Sequence, residues 1–208
     1  MNRRIYLYLS VLSVLLILGC GTKVMVPPEI DLTEYETVGL IKFTSGTKGE
    51  LGNIVTQKFL EEISGSQKGV RIIELGSMDK VLESVQQDEI NPDTIRAIGQ
   101  KHNLNSIIIG ALLVSDVKPS ISLASIVTHM SVRAKVEASL TVKLLDTEDG
   151  ATIWTASAQD KRDVAHVSIF PGGGFHFDAD DPEEAYGELV KSLVENVTVD
   201  LRISHKRI

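Results

Sequence analysis

The segment Val132-Arg-Ala-Lys-Val-Glu-Ala-Ser-Leu-Thr-Val-Lys-Leu144 has the strictest hydrophobic pattern in this 208-residue chain. Apolar residues occupy its even-numbered positions, and charged or hydroxyl side chains occupy its odd-numbered ones. Because successive side chains of a strand point to opposite faces, the segment predicts a long β-strand with one buried and one solvated face. Asp146-Thr-Glu-Asp-Gly150 predicts a tight turn, and Ala151–Ser157, which contains Trp154, predicts the returning strand of an antiparallel hairpin.

The residues before this hairpin predict strands that alternate with helices. Strand patterns cover Thr37–Phe43, Val70–Leu75 and Ser106–Val114, and the third is so continuously apolar that it predicts a parallel strand covered on both faces. Between them, apolar residues recur every four positions in Leu51–Ile63, and Asn91-Pro92-Asp93 is typical of a helix start. Such alternation favours a parallel sheet with right-handed crossovers.

A final helix is predicted to follow Asp181-Pro182-Glu183-Glu184, with an apolar stripe from Tyr186 to Leu201. The predicted fold class is therefore α/β, with a mixed β-sheet that joins a parallel βαβ core to an antiparallel hairpin, and with helices packed on it. We expect one such domain over residues 37–208. Residues 20–36, which include Pro27-Pro28, are expected to form an extended, poorly packed linker before it.

The N-terminus has the features of an export signal. Arg3 and Arg4 precede an apolar run, Ile5–Leu18, that is shorter than the roughly 20 residues a spanning helix needs. The run ends in Leu16-Ile-Leu-Gly-Cys20, which resembles the lipobox of bacterial lipoproteins. That resemblance implies that residues 1–19 are a signal peptide and that the Cys20 thiol receives a diacylglyceryl group. The alternative is an ordinary signal peptide or short membrane anchor with a stray cysteine.

A lipidated Cys20 would tether the chain to a membrane, since each buried acyl CH₂ adds about 0.8 kcal/mol of membrane affinity. By resemblance to the lipoprotein sorting rule, Gly21 in place of an aspartate implies the outer membrane, and we expect the periplasmic face. Cys20 is the single cysteine of the chain, so no internal disulfide can form and stability has to come from the hydrophobic core. Acyl groups on Cys20 are the sole covalent additions that we expect, with no cofactor.

Composition and charge narrow the function classes. Hydrophobic residues make up 43% of the chain, which excludes global disorder. The 21 basic and 28 acidic side chains give a formal net charge of −7, which disfavours nucleic acid as a partner because phosphate backbones are repelled. Envelope proteins and the membrane are the expected partners, and a second copy of the same chain is a further candidate partner.

No sequence motif predicts catalysis. The run Gly172–Gly174 lacks the Lys-Ser/Thr pair of a phosphate-binding loop, and the chain has no Gly-x-Ser-x-Gly nucleophile elbow. The one cluster of histidine and carboxylate side chains matches no known metal spacing, so a solvated acidic loop is favoured over a metal site. Its members are His166, His176, Asp178, Asp180 and Asp181.

The order of these elements resembles a known fold group. Val38–Phe43, Val70–Leu75, Asn105–Gly110 and the hairpin Leu140–Gly150 with Trp154 are similar to the periplasmic domain of the curli-secretion (CsgG-like) lipoproteins. The same pattern is similar to the lipoprotein activators of penicillin-binding proteins and to the N-terminal domain of the Tol-system periplasmic protein. The resemblance implies a domain that acts by protein–protein contact and has no catalytic residues.

In curli-secretion proteins, two hairpins assemble into an oligomeric outer-membrane pore. The resemblance implies that the corresponding segments here are Ser115–Ser131 and Asp163–Asp180, and in a pore Ser115–Ser131 and Val164–Phe177 would enter the membrane. The first segment alternates only weakly between apolar and polar residues. In the second, the stretches on either side of Pro171 are short for membrane-spanning strands. We therefore expect a non-enzymatic, protein-binding accessory in envelope assembly, secretion or regulation. The alternatives are a curli-type pore subunit and, more remotely, a metal-dependent or hydrolytic periplasmic enzyme.

The segment around Pro171 also supplies the predicted partner contact. Its apolar and aromatic residues lie outside the periodic core pattern, and exposed apolar patches often mark interaction sites. The predicted contact residues are Val164, His166, Ile169, Phe170, Phe175 and Phe177.

Overall fold

The computed structural model describes residues 23–119, 134–164, 167–169, 175–177 and 182–207. These residues fall into two units, the first made of residues 23–28 and 203–207 and the second of residues 29–202. In the first unit, two short strands pair antiparallel, with Lys23 opposite Arg207.

The described strands, in chain order, are β1 Lys23–Val26, β2 Thr37–Ile41, β3 Thr44–Ser45, β4 Lys48–Gly49, β5 Arg71–Gly76, β6 Ser106–Pro119, β7 Ala134–Asp146, β8 Thr152–Val164, β9 Val167–Ile169, β10 Phe175–Phe177 and β11 Ser204–Arg207. The α-helices are α1 Leu51–Ser66, α2 Met78–Ser84, α3 Pro92–His102 and α4 Pro182–Val197. Short 3-10 helices cover Leu32–Tyr35 and Val199–Leu201.

The main sheet has the strand order β5-β2-β6-β7-β8, and β3 also pairs with β6. Strand β2 runs parallel to both β5 and β6, whereas β7 is antiparallel to its two neighbours, β6 and β8. This mixed sheet confirms the predicted α/β class, with its parallel core and antiparallel hairpin.

The turn between β7 and β8 follows from its residues. The Asp146 side chain accepts a hydrogen bond from the Glu148 N–H at 2.6 Å, and the Gly150 N–H donates to the Asp146 carbonyl at 3.1 Å. Gly150 has a φ of +77°, and a Cβ there would lie 2.5 Å from the Cα of Pro92. Both the left-handed backbone and the close approach of helix α3 therefore require glycine.

One face of the sheet packs against helices α1 and α4. The even-numbered residues of β7 from Ala134 to Leu144 are buried there, as the alternation predicts. The helical side of this core comes from residues four positions apart on α1 and from the apolar stripe of α4, as predicted. Its larger members include Val55, Phe59, Ile63, Tyr186, Leu189, Leu193 and Val197.

The opposite face is covered only in part. Helices α2 and α3 pack a smaller cluster, which includes Val81, Ile95 and Ile98, over the first residues of β6. Helix α3 starts as predicted, because the Asn91 side chain accepts the Thr94 N–H at 2.9 Å. Ile109 is the last residue of β6 that packs against this cluster. The prediction that Ser106–Val114 is covered on both faces is therefore wrong beyond this point.

The expected linker is also shorter than predicted. Leu32 is fully buried in the main core, and its N–H donates to Gln67 Oε1 at 3.0 Å. Gln67 Nε2 donates in turn to the carbonyls of Ile30 and Leu201, at 2.8 Å each. Residues 29–36 thus belong to the packed domain, held by one buried glutamine whose hydrogen bonds no hydrophobic pattern predicts.

Three short strands form a small second sheet, with strand order β4-β10-β9. Strands β9 and β10 pair antiparallel, with Phe175 opposite Ile169. Strand β10 also pairs in parallel with β4, where Phe177 is opposite Gly49.

Candidate functional site

The uncovered part of the main sheet is the candidate functional site, and we call it the open face. Leu112, Leu140 and Ala158 are buried on the helix-covered side, so their strand neighbours point to the other side. The pairing register places these neighbours in two rows across β6, β7 and β8. The rows are Ala111–Thr141–Ser157 and Leu113–Ser139–Gln159, with Thr44 of β3 beside Ala111.

Leu113 is the apolar centre of the open face. Its side chain is 59% exposed, which is the largest exposure of a large apolar side chain among the described residues of the second unit. The side chains around it are short, and several hydroxyls are already hydrogen-bonded along the sheet. The Thr141 and Ser157 hydroxyls lie 2.9 Å apart, and Thr44 Oγ1 donates to the Gly110 carbonyl at 3.3 Å. The surface is therefore a flat area of small side chains from which Leu113 projects.

Charged residues border the open face at one end. Glu137 of β7 accepts hydrogen bonds from two β8 side chains, Gln159 Nε2 at 2.7 Å and Lys161 Nζ at 2.8 Å. Opposite charges on neighbouring strands support the pairing of those strands. These bonds hold β7 and β8 in register and give the face a polar edge.

On the other side of β8, Asp160 links the strand to helix α4. Burial opposes ionisation of its carboxyl group, but hydrogen bonds from Ser192, Arg162 and the Lys161 N–H outweigh it and lower the Asp160 pKa. Arg162 Nε donates to Asp160 Oδ2 at 2.8 Å, and this bond raises the pKa of Arg162. The polar contact fixes the outer strand of the sheet on its helix-covered side.

Two of the predicted contact residues belong to the core instead. Val164 is 2% exposed and packs in the main cluster. Phe177 is fully buried, with its ring centroid 5.4 Å from that of Tyr186 in an edge-on arrangement. The prediction that these two side chains form an exposed contact surface is therefore wrong. Val164 is the last residue of β8 and Phe177 is the last residue of β10, and both side chains are inserted into the domain.

The remaining predicted site residues are placed only in part. Ile169 and Phe175 face each other in the β9–β10 ladder. Cys20, His166 and Phe170 lie outside the described residues, as do Asp178, Asp180 and Asp181. Their roles in lipidation, partner contact or an acidic loop stay predictions.

The described ranges contain neither a candidate metal site nor a candidate membrane-spanning helix. No group of three or more His, Cys, Asp or Glu side chains within them is arranged to hold a metal ion. None of the described helices combines the length and the hydrophobicity needed to cross a membrane.

Comparison with known proteins gives structural likenesses alone. No protein-family model matches the chain, and no curated protein matches it. Among solved structures, the PelC dodecamer from Paraburkholderia phytofirmans is 13% identical, with 88% of this chain and 98% of that chain covered and a TM-score of 0.47.

Two further solved structures match a shorter part of the chain. The LpoB C-terminal domain from Escherichia coli is 8% identical over 61% of this chain and 83% of its own, with a TM-score of 0.39. Lipoprotein GNA1162 from Neisseria meningitidis is 14% identical over 61% of this chain and 83% of its own, with a TM-score of 0.35. LpoB is a lipoprotein activator of a penicillin-binding protein, which is one of the groups that the sequence resembles.

The open face itself was missed by sequence reasoning. Ala111 and Leu113 lie in a continuous apolar run, and such a run predicts burial on both faces. The partner strands carried the available signal. Once the hairpin is paired to β6, the polar residues Ser139, Thr141 and Ser157 share a face with Ala111 and Leu113.

Proposed function

We propose that this chain is a cell-envelope lipoprotein, anchored through Cys20 at the periplasmic face of the outer membrane, that acts by binding another envelope protein. The open face is the observation that carries the protein-binding part of the proposal. The lipobox-like end at Cys20 supports the anchor. In this role the domain needs no catalytic residue.

The chemistry of the open face suits a protein partner. Single exposed apolar residues are common on protein surfaces, so Leu113 alone would not identify a site. Its surroundings distinguish it, because alanine, serine and threonine lose little rotamer freedom when a partner covers them. Long charged side chains stand at the border, at Glu137 and Lys161, as in the polar rim of a protein interface.

The binding proposal is tested by co-purification with two matched variants. Leu113→Glu places a charge at the centre of the open face, whereas Gln100→Glu places the same side chain on the exposed surface of α3. We expect the first variant to lose a specific envelope partner and the second to retain it. Equal recovery of that partner with both variants would place the binding surface elsewhere.

The anchor is tested separately, by replacing Cys20 with alanine. The proposal predicts that the wild-type chain incorporates labelled fatty acid and sediments with outer membranes, and that Cys20→Ala does neither. Unchanged labelling would contradict lipidation at Cys20. Recovery of the labelled wild-type chain in inner membranes would contradict the outer-membrane location.

The oligomeric state separates this function from the pore alternative. Light scattering of the lipidated chain in mild detergent should give the mass of one subunit if it is a tethered adaptor. A closed ring of many subunits would instead support the pore alternative, in which Ser115–Ser131 and Val164–Phe177 enter the membrane and Val164 and Phe177 leave the core. In that case, conductance in a planar bilayer would be the next measurement.

A further inference from the structure

A small crevice lies where strands β2 and β5 end and helix α1 passes over them. Its volume is about 230 Å³, below the range of roughly 300–1,000 Å³ for pockets that hold drug-sized ligands. In open α/β sheets, ligands bind beyond the carboxyl ends of parallel strands. We call this feature the strand-end crevice, and its lining side chains are Leu40, Lys42, Asn53, Thr56, Gln57 and Glu74.

The walls of the strand-end crevice are fixed by their own hydrogen bonds. The Lys42 N–H donates to the Gly76 carbonyl at 2.9 Å, which ties the end of β2 to the end of β5. The Phe43 N–H donates to Thr56 Oγ1 at 3.0 Å, and that hydroxyl donates to the Gly52 carbonyl at 2.7 Å. The crevice is therefore preformed, and its backbone groups need no ligand to satisfy them.

Two opposite charges share this crevice. Glu74 is opposite Leu40 in the β2–β5 ladder, Lys42 directly follows β2, and both charged side chains line the crevice. Over the described residues, neither side chain has an oppositely charged group within 4.0 Å. Gln57 Nε2 donates to Glu74 Oε2 at 3.3 Å and steadies the carboxylate on its side.

We propose that the strand-end crevice binds a small zwitterion of amino-acid or dipeptide size. Its carboxylate would bind the Lys42 ammonium group, and its own ammonium group would bind the Glu74 carboxylate. A simple anion would meet the repulsion of Glu74, and a simple cation would meet that of Lys42. A ligand with both charges makes two charge-assisted hydrogen bonds at once. The inference does not depend on protein binding at the open face, which is on the other side of the sheet.

The test is ligand-observed NMR on the full-length lipidated chain in detergent, with alanine and alanyl-alanine in both chiral forms as probes. We expect saturable binding of at least one probe, weakened about tenfold by either Lys42→Gln or Glu74→Gln, since each removes one hydrogen bond to a charged group. Lys68→Gln and Glu148→Gln remove the same charges from exposed positions outside the crevice and should leave binding unchanged.

Three results would overturn the proposal. The first is the absence of saturable binding for every probe. The second is equal affinity in the crevice variants and in the matched controls, with all of them folded by thermal melting. The third is full competition by acetate or methylamine at equal concentration, because a site for a single charge would not need both Lys42 and Glu74.

Discussion

The two sides of strand β7 meet different environments within one sheet. Leu140 is fully buried beneath the helices, whereas its neighbour Thr141 faces the open face and bonds to a hydroxyl on β8. Helices α1 and α4 pack along one side, whereas α2 and α3 cover only the beginning of β6 on the other. Stability can therefore be assigned to one side of these three strands, and the proposed partner binding to the other.

The largest expected effect is a cavity on the covered side. Phe59 is fully buried, and its ring centroid lies 5.1 Å from that of Phe43. Phe59→Ala should lower the free energy of unfolding by about 3–5 kcal/mol, because it removes buried apolar surface and leaves a void. Urea denaturation of the full-length chain in detergent measures this. A loss below about 1 kcal/mol would contradict the assignment of this side as the core.

Adding one heavy atom at each of two neighbouring positions tests the difference between the covered side and the open side. A Cβ at Gly110, on the covered side, would lie 2.5 Å from a ring carbon of Phe43. Gly110→Ala should therefore cost about 1–3 kcal/mol by overpacking. Ala111→Ser, one residue on and exposed on the open side, should change the unfolding free energy by less than about 0.5 kcal/mol. Equal losses in the two variants would mean that both sides are packed.

Asp160 should make the covered side sensitive to acid. Its folded-state pKa is held below the ordinary value of 3.8, so its contribution to stability is present at neutral pH and is lost as pH falls below about 4. Asp160→Asn should be less stable than the wild type at pH 7, and the difference should shrink towards pH 3. Thermal melts over this pH range measure it. A constant difference would rule out ionisation of Asp160 as its source.

The smallest effect on stability is expected at the centre of the open face. Leu113→Ala should change the free energy of unfolding by no more than about 0.5 kcal/mol, because that side chain is already exposed. The same variant should bind the envelope partner more weakly. A large stability loss would show that Leu113 supports the fold and would weaken its assignment to an interface.

Strict periodicity made the long hairpin predictable. In Val132–Leu144 every second residue is apolar, and the turn residues Asp146 and Gly150 mark its end. The parallel core could be predicted from strand–helix alternation, since a crossover helix leaves few other topologies. These features are local or nearly local in sequence.

The open face and the core roles of Val164 and Phe177 depend on contacts that are distant or irregular in sequence. Helix α3 is too short to cover the far end of β6, and the apolar run of β6 does not record how far a helix on another segment reaches. Phe177 is buried because Tyr186 of α4 packs on it, although its own neighbours show no periodicity. Sequence patterns give the faces of an element, but tertiary packing decides which faces are covered.

We propose that the envelope partner binds at the open face. The most direct test places a photo-crosslinking residue at Ala111, which is exposed on that face, and at Gln100 of α3 as the control, in cells that carry the full-length lipidated chain. We expect one defined adduct from position 111 that disappears when Leu113→Glu is added, and no such adduct from position 100. The same adduct from both positions, or none from position 111, would contradict the proposal.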